Sequence, residues 1–144
     1  FEGAGINGKN SENQAAMGLC NLKYIDDILK KRKECSLYYD KKLKELKVTK
    51  PKINPEADFN YSYYPILFNS EEELLKAKKT LEDGRVFSRR YFYPTLSKLD
   101  YVKQVATPVA DSVSKRILCL PLYYDLSHEE IDYISRLLLR AQNY

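Results

Sequence analysis

The chain has 144 residues, of which 44% are apolar and 31% charged, and a net charge of +4. A domain of this length buries roughly 68–70% of the surface its unfolded chain exposes. The composition excludes a disordered chain, and no apolar run nears the ~18 residues that a membrane span requires. Three scattered cysteines (Cys20, Cys35, Cys119) and a single His offer no C-x-x-C pair. That set argues against a disulfide scaffold and against a zinc site, and it suits a reducing cytoplasm; no metal site is expected. The chain opens without Met and without a basic stretch leading into an apolar one. The expectation is therefore a piece of a longer protein rather than a secreted precursor.

The first stretch, "FEGAGINGKNSENQAAMGL", spells G-x-G-x-x-G at Gly3, Gly5 and Gly8. A dinucleotide fingerprint needs a strand before its first glycine and an acid at the end of a second strand. Only two residues precede Gly3, and Asp26 and Asp27 fall inside a helical pattern. What remains is a flexible loop entering a helix, or one offering an anion the free N–H groups of that helix. Ser11 with Gln14, Ser70 with Glu73 and Ser127 with Glu130 each predict a helix start, a hydroxyl capping the first turn and an acid or amide reaching back. "ENQAAMG" is rich in small residues and suits close approach to another backbone.

Ile25, Ile28, Leu29, Arg32, Ser36, Tyr39, Leu43 and Leu46 then recur three or four apart. They predict one long amphipathic helix, with Tyr38 or Tyr39 at the rim of its stripe, ending by about Lys50 ahead of the prolines of "KPKINPEADFN". From Lys23 to Lys50 ten Lys or Arg face five acids. Alternating with apolar residues at helical spacing, they read as a solvated helix face rather than a nucleic-acid patch.

"YSYYPILF" (Tyr61 to Phe68) predicts a strand, with Pro65 favouring an edge or a bulge. Glu71 to Asp83 predicts a helix with Leu74, Ala77, Lys78 and Leu81 on one side, closed by Gly84 in a left-handed turn. "RVFSRRYFYP" predicts a strand running into a Tyr-rich loop, and "SKRILCLPLYY" a strand broken by Pro121. A last helix from His128 to about Gln142 buries Ile131, Ile134, Leu137, Leu138 and Ala141. The order helix, strand, helix, strand, strand, helix predicts an α+β domain, a small antiparallel or mixed sheet with helices on one face.

No catalytic constellation emerges from the residues alone. His128 has no Cys or Ser neighbour for a triad, and no lysine sits in an apolar signature for Schiff-base formation. Arg85, Arg89, Arg90, Tyr91 and Tyr93 form the remaining candidate cluster, able to grip a phosphate or stack on a ring, or else a solvated sheet edge.

Three ordered stretches carry a resemblance. "GINGKNSENQAAMGLCNLKYIDDILKKRKE" is similar to the G-[YIF]-N-x-[KR]-x-[ST]-E-x-Q-A-A-x-G-L segment of the DegT/DnrJ/EryC1/StrS sugar aminotransferases. "RRYFYPTLSKLDYV" and "ILCLPLYYDLSHEEIDYI" resemble later parts of the same family, especially members acting on dTDP-linked 6-deoxy keto sugars.

The resemblance implies a pyridoxal-phosphate enzyme of the aspartate-aminotransferase (fold type I) fold, represented here by its C-terminal small domain. That domain would have a mostly antiparallel sheet covered by helices and preceded by a long amphipathic helix. Residues 1–20 would join a larger domain and residues 21–144 would form the small domain. The Schiff-base lysine and the other catalytic groups would lie in the larger domain, leaving none in this chain and the chain alone inactive.

The family's homodimer with shared active sites would bring Asn7, and secondarily Lys9, to the neighbour's cofactor phosphate. Tyr91 and Tyr93, standing where other members carry a His, would contact the sugar, and Arg90 the nucleotide phosphates. The implied reaction moves an amino group from an amino acid, L-glutamate, to C3 or C4 of a keto sugar nucleotide. Neither a nucleic acid nor a membrane would be a partner. A free-standing dimerisation, regulatory or basic binding module without catalysis is the competing expectation.

Overall fold

The computed structural model describes residues 8–143. Its elements in chain order are α1 (Glu12–Leu22), α2 (Ile25–Lys42), β1 (Tyr64–Leu67), α3 (Glu71–Asp83), a 3-10 turn (Leu96–Lys98), α4 (Pro108–Arg116), β2 (Ile117–Leu120) and α5 (His128–Asn143). The architecture is α+β, as the sequence predicts.

The three capping signals open α1, α3 and α5. Ser11 Oγ accepts from Gln14 N–H at 3.2 Å and Gln14 Oε1 accepts from Ser11 N–H at 2.9 Å. Ser127 and Glu130 repeat the reciprocal pair at 3.2 and 2.8 Å. Ser70 caps Glu73 N–H at 3.1 Å, but the Glu73 carboxylate accepts from Asn69 N–H, one residue earlier than the reciprocal form requires.

β1 and β2 pair antiparallel, Tyr64 opposite Leu120 and Leu67 opposite Ile117. Leu67 bonds Thr49 rather than β2, its N–H and C=O pairing at 2.8 and 2.9 Å. Alternate residues of a strand point their backbone groups the same way. Pro65, two residues earlier, therefore aims its missing N–H away from β2, and the ladder loses no bond there. Tyr64, Ile66, Leu118 and Leu120 supply a buried sheet face, joined in one core by Tyr39 of α2, Leu74 and Leu81 of α3, and Ile131, Ile134 and Leu138 of α5. Helix α5 packs against both α2 and α3.

Several expectations need correction. Helix α2 ends at Lys42 rather than near Lys50, and Leu43 and Leu46 enter the core from the turns that follow. Its stripe is buried only from Cys35 onward, with Ile25 exposed. Of the two tyrosines expected at the rim, Tyr38 takes it, in agreement with the sequence, and stacks on His128 at 3.9 Å, while Tyr39 is fully buried. Gly84 has φ −82°, and the left-handed residue is Arg85 at φ 60°. Gly84 is small because α5 is close, a Cβ there falling 2.5 Å from Leu137 Cδ1. "RVFSRRYFYP" contributes one bridge, Arg89 to Cys119, rather than a strand. "SKR" closes the unpredicted helix α4. The cysteines call for no such correction, all three being free.

Candidate functional site

Three segments converge outside the β2 edge. Tyr63 stands at the entry to β1; Arg85, Phe87, Arg89 and Tyr91 follow α3; Tyr123, Glu130 and Tyr133 come from α5 and the turn before it. With Arg32 of α2 they enclose a groove of about 850 Å³, within the usual range of small-ligand sites. The bridge between Arg89 and Cys119, closed by hydrogen bonds of 3.1 and 2.8 Å, fixes the second segment against β2.

The groove is aromatic and positively charged. Arg32, Arg85 and Arg89 face it, and among the described residues none has a carboxylate partner within 4.0 Å. Arg32 Nε is buried with no hydrogen-bond partner there. The one acid, Glu130, is committed: it accepts from Ser127 N–H at 2.8 Å and from the Tyr123 hydroxyl at 3.1 Å. Those bonds, the Ser127 backbone N–H first, hold its carboxyl below the usual carboxylate range. Arg89 donates to the Tyr91 hydroxyl, and the Tyr91 ring stands edge-on to Tyr63 at 5.3 Å. Planar guanidinium groups grip phosphate oxygens in pairs, and tyrosine rings stack on ring faces while their hydroxyls meet sugar hydroxyls. The arrangement suits a ligand with both an anionic and a ring part.

The structure divides the predicted cluster. Arg85, Arg89 and Tyr91 reach the groove. Arg90 turns to the other side, donating to Glu71 Oε1 at 2.7 Å and to the Lys115 carbonyl at 3.0 Å. Its guanidinium lies 3.7 Å from the centre of the Tyr93 ring. Lys9 is exposed in the loop before α1 and does not line the groove; Asn7 lies outside the described residues. Sequence reasoning missed Arg32, Tyr63, Tyr123 and Tyr133. A signal was present for one of them, since Arg32 is the single cation inside an apolar stripe. Among the described residues no group of three or more His, Cys, Asp or Glu comes together as a metal site, and no helix is long and apolar enough to cross a membrane.

The sequence pattern of the DegT/DnrJ/EryC1/StrS aminotransferase family matches residues 2–138. The chain belongs to this family. It is 38% identical to the dTDP-4-amino-4,6-dideoxy-D-glucose transaminase of Escherichia coli, over 94% of this chain and 39% of that protein. Among solved structures it is similar to DesI, determined in the presence of its TDP-sugar product, with TM-score 0.83 and 23% identity over 96% of this chain and 38% of that one. A DegT/DnrJ/EryC1/StrS aminotransferase from Brucella abortus superposes with TM-score 0.80 and 25% identity, over 97% of this chain and 38% of its own. The chain thus spans about two fifths of the length of the curated E. coli relative. The fold of this family is the one the sequence resemblance implies.

Proposed function

We propose that this chain is the small domain of a pyridoxal-phosphate-dependent transaminase acting on nucleotide-linked deoxy sugars. L-Glutamate is the amino donor and a keto group of the sugar the acceptor. The family match over residues 2–138 carries the reading, and the dTDP-sugar transaminase relative supports the substrate class. In this reading residues 1–20 join a larger domain, residues 21–144 are the small domain, and the cytoplasmic protein is a homodimer with shared active sites. Helix α1 supports that assignment, for it buries none of its residues and leaves Met17, Leu19 and Leu22 exposed.

The side chains present fit one part of the cofactor. Every described lysine is exposed or half-buried, so none offers the enclosed apolar site that a Schiff base favours. Lys9, ahead of the capped start of α1, fits a point-charge contact to a phosphate, and Asn7 is proposed beside it. When bound, pyridoxal phosphate supplies the electron sink for carbanion chemistry. This chain's part is to bind and orient. Arg85 and Arg89 pair with the diphosphate and Tyr91 meets the sugar, while Tyr93, stacked on Arg90, stands outside the groove lining.

The test is to supply the full-length protein with cofactor, L-glutamate and a panel of keto sugar nucleotides, and to identify the products by mass. The expected result is 2-oxoglutarate with an amino sugar nucleotide; no product from any sugar overturns the reading. The 144-residue chain alone is expected to turn over nothing. Lys9→Ala is expected to weaken cofactor retention about tenfold, the value of one charged hydrogen bond; unchanged retention removes Lys9 from the phosphate site.

A further inference from the structure

The aromatic segment from Tyr91 to Pro94 hangs between two polar anchors, both on the α3–α4 side of the domain. At its start, Arg90 is held by Glu71 at 2.7 Å and by the Lys115 carbonyl at the end of α4 at 3.0 Å. At its other end, the Thr95 hydroxyl donates to Asp111 Oδ1 at 2.5 Å, and the Thr107 hydroxyl donates to the same oxygen at 3.1 Å. Ser97 Oγ lies 2.7 Å from Thr107 Oγ1 and 3.5 Å from Asp111 Oδ1. The Lys98 ammonium lies 3.8 Å from Asp111 Oδ2. The hydroxyls, Thr95 first, hold the Asp111 carboxyl below its usual range.

Apolar packing does not fix this segment. Beneath it runs a cleft of about 370 Å³ lined by Phe92, Leu96, Ala110, Val113 and Ile117, and Phe92 and Leu96 are largely exposed. Hydrogen bonds to a charged acceptor are stronger than neutral ones and set a direction that a loosely filled apolar cleft does not. Directly after the first anchor, Tyr91 reaches the wall of the substrate groove.

We propose that Asp111, acting through Thr95, Ser97 and Thr107, and Glu71, acting through Arg90, are positioning residues that hold the Tyr91 ring on the substrate groove. The inference rests on the transaminase reading for its substrate and on the two anchors for its geometry. Neither Asp111 nor Glu71 touches the groove; both act through the segment they hold.

The test uses the full-length protein with Thr95→Val, which keeps shape and removes the hydroxyl, Thr95→Ser, which keeps the hydroxyl, and Asp111→Ala. Two readouts are taken: amide hydrogen exchange of residues 91–99 against the β1–β2 ladder, and KM and kcat for the keto sugar nucleotide. Thr95→Val and Asp111→Ala are expected to speed exchange over 91–99 about tenfold with the ladder unchanged, and to raise KM about tenfold while kcat stays within about twofold. Thr95→Ser is expected to match the parent in both. Unchanged exchange over 91–99, or an equal rise in the ladder, overturns the anchor. Faster exchange with KM unmoved overturns the link from anchor to groove. If the parent turns over no keto sugar nucleotide, the transaminase reading fails by itself, and the exchange comparison then decides the anchor.

Discussion

Tyr39 shows how a single phenol is used at both ends. Its ring is fully buried, tilted against Tyr64 at 4.6 Å, and its hydroxyl donates to the Pro121 carbonyl at 3.1 Å. Burial pushes that hydroxyl far above its ordinary pKa, so it stays a neutral donor. Tyr39→Phe keeps the packing and leaves the carbonyl unpaired; the expected loss is about 1 kcal/mol in urea denaturation of this chain. Leu138→Ala, at a fully enclosed core position, is expected to cost about 2–5 kcal/mol in the same measurement, because a cavity adds to the lost transfer energy. A smaller effect from Leu138→Ala than from Tyr39→Phe would show that polar pairing rather than packing dominates this core. A tyrosine in an apolar stripe invites a rim assignment, since its hydroxyl needs a partner. The partner is a carbonyl 82 residues away in sequence, which no local pattern displays.

At the level of elements, local chemistry explains most of the starts. Ser127 and Glu130 bond each other's backbone N–H groups at the head of α5, the helix that packs on both α2 and α3. Ser127→Ala is expected to cost about 1 kcal/mol, read as a lower urea midpoint with unchanged slope. An unchanged midpoint would mean that packing alone sets the start of α5. Helix ends were less legible than starts. Gly84 suggests a left-handed stop, yet its smallness answers to Leu137 across the helix pair, and Arg85 takes the left-handed backbone instead. Helix α4 carried a usable sign, Thr107 followed by Pro108 at the first helical position. The apolar run "ILCL" beyond it drew the strand assignment too early.

At the scale of the whole molecule, three carboxylates among the described residues are held below their ordinary range by native bonds: Asp111 by the Thr95 hydroxyl, Glu130 by the Ser127 backbone N–H, and Asp132 by Lys42. A carboxylate with a depressed native pKa stabilises the fold above its unfolded value, about 4, and loses that contribution as pH falls through the lower native value. Thermal melts are therefore expected to be level from neutral pH to about 5 and to fall below about 4. A melting temperature unchanged down to about pH 2 would contradict the three assignments.

By itself the sequence determined the α+β class, the three capped helices, two of its three predicted strands and the family, because each rests on residues close together along the chain. Caps act over three residues, strand patterns over four, and the motif "NGKNSENQAA" over ten. Only the tertiary structure decided which of the clustered arginines faces the groove. Arg89 and Arg90 are adjacent in sequence and look alike there. Arg89 is turned outward by its bridge to Cys119, while Glu71 and the Lys115 carbonyl draw Arg90 the other way. The partners that select a direction for each guanidinium lie 19 to 30 residues away, brought near by the packing of α3, α4 and β2.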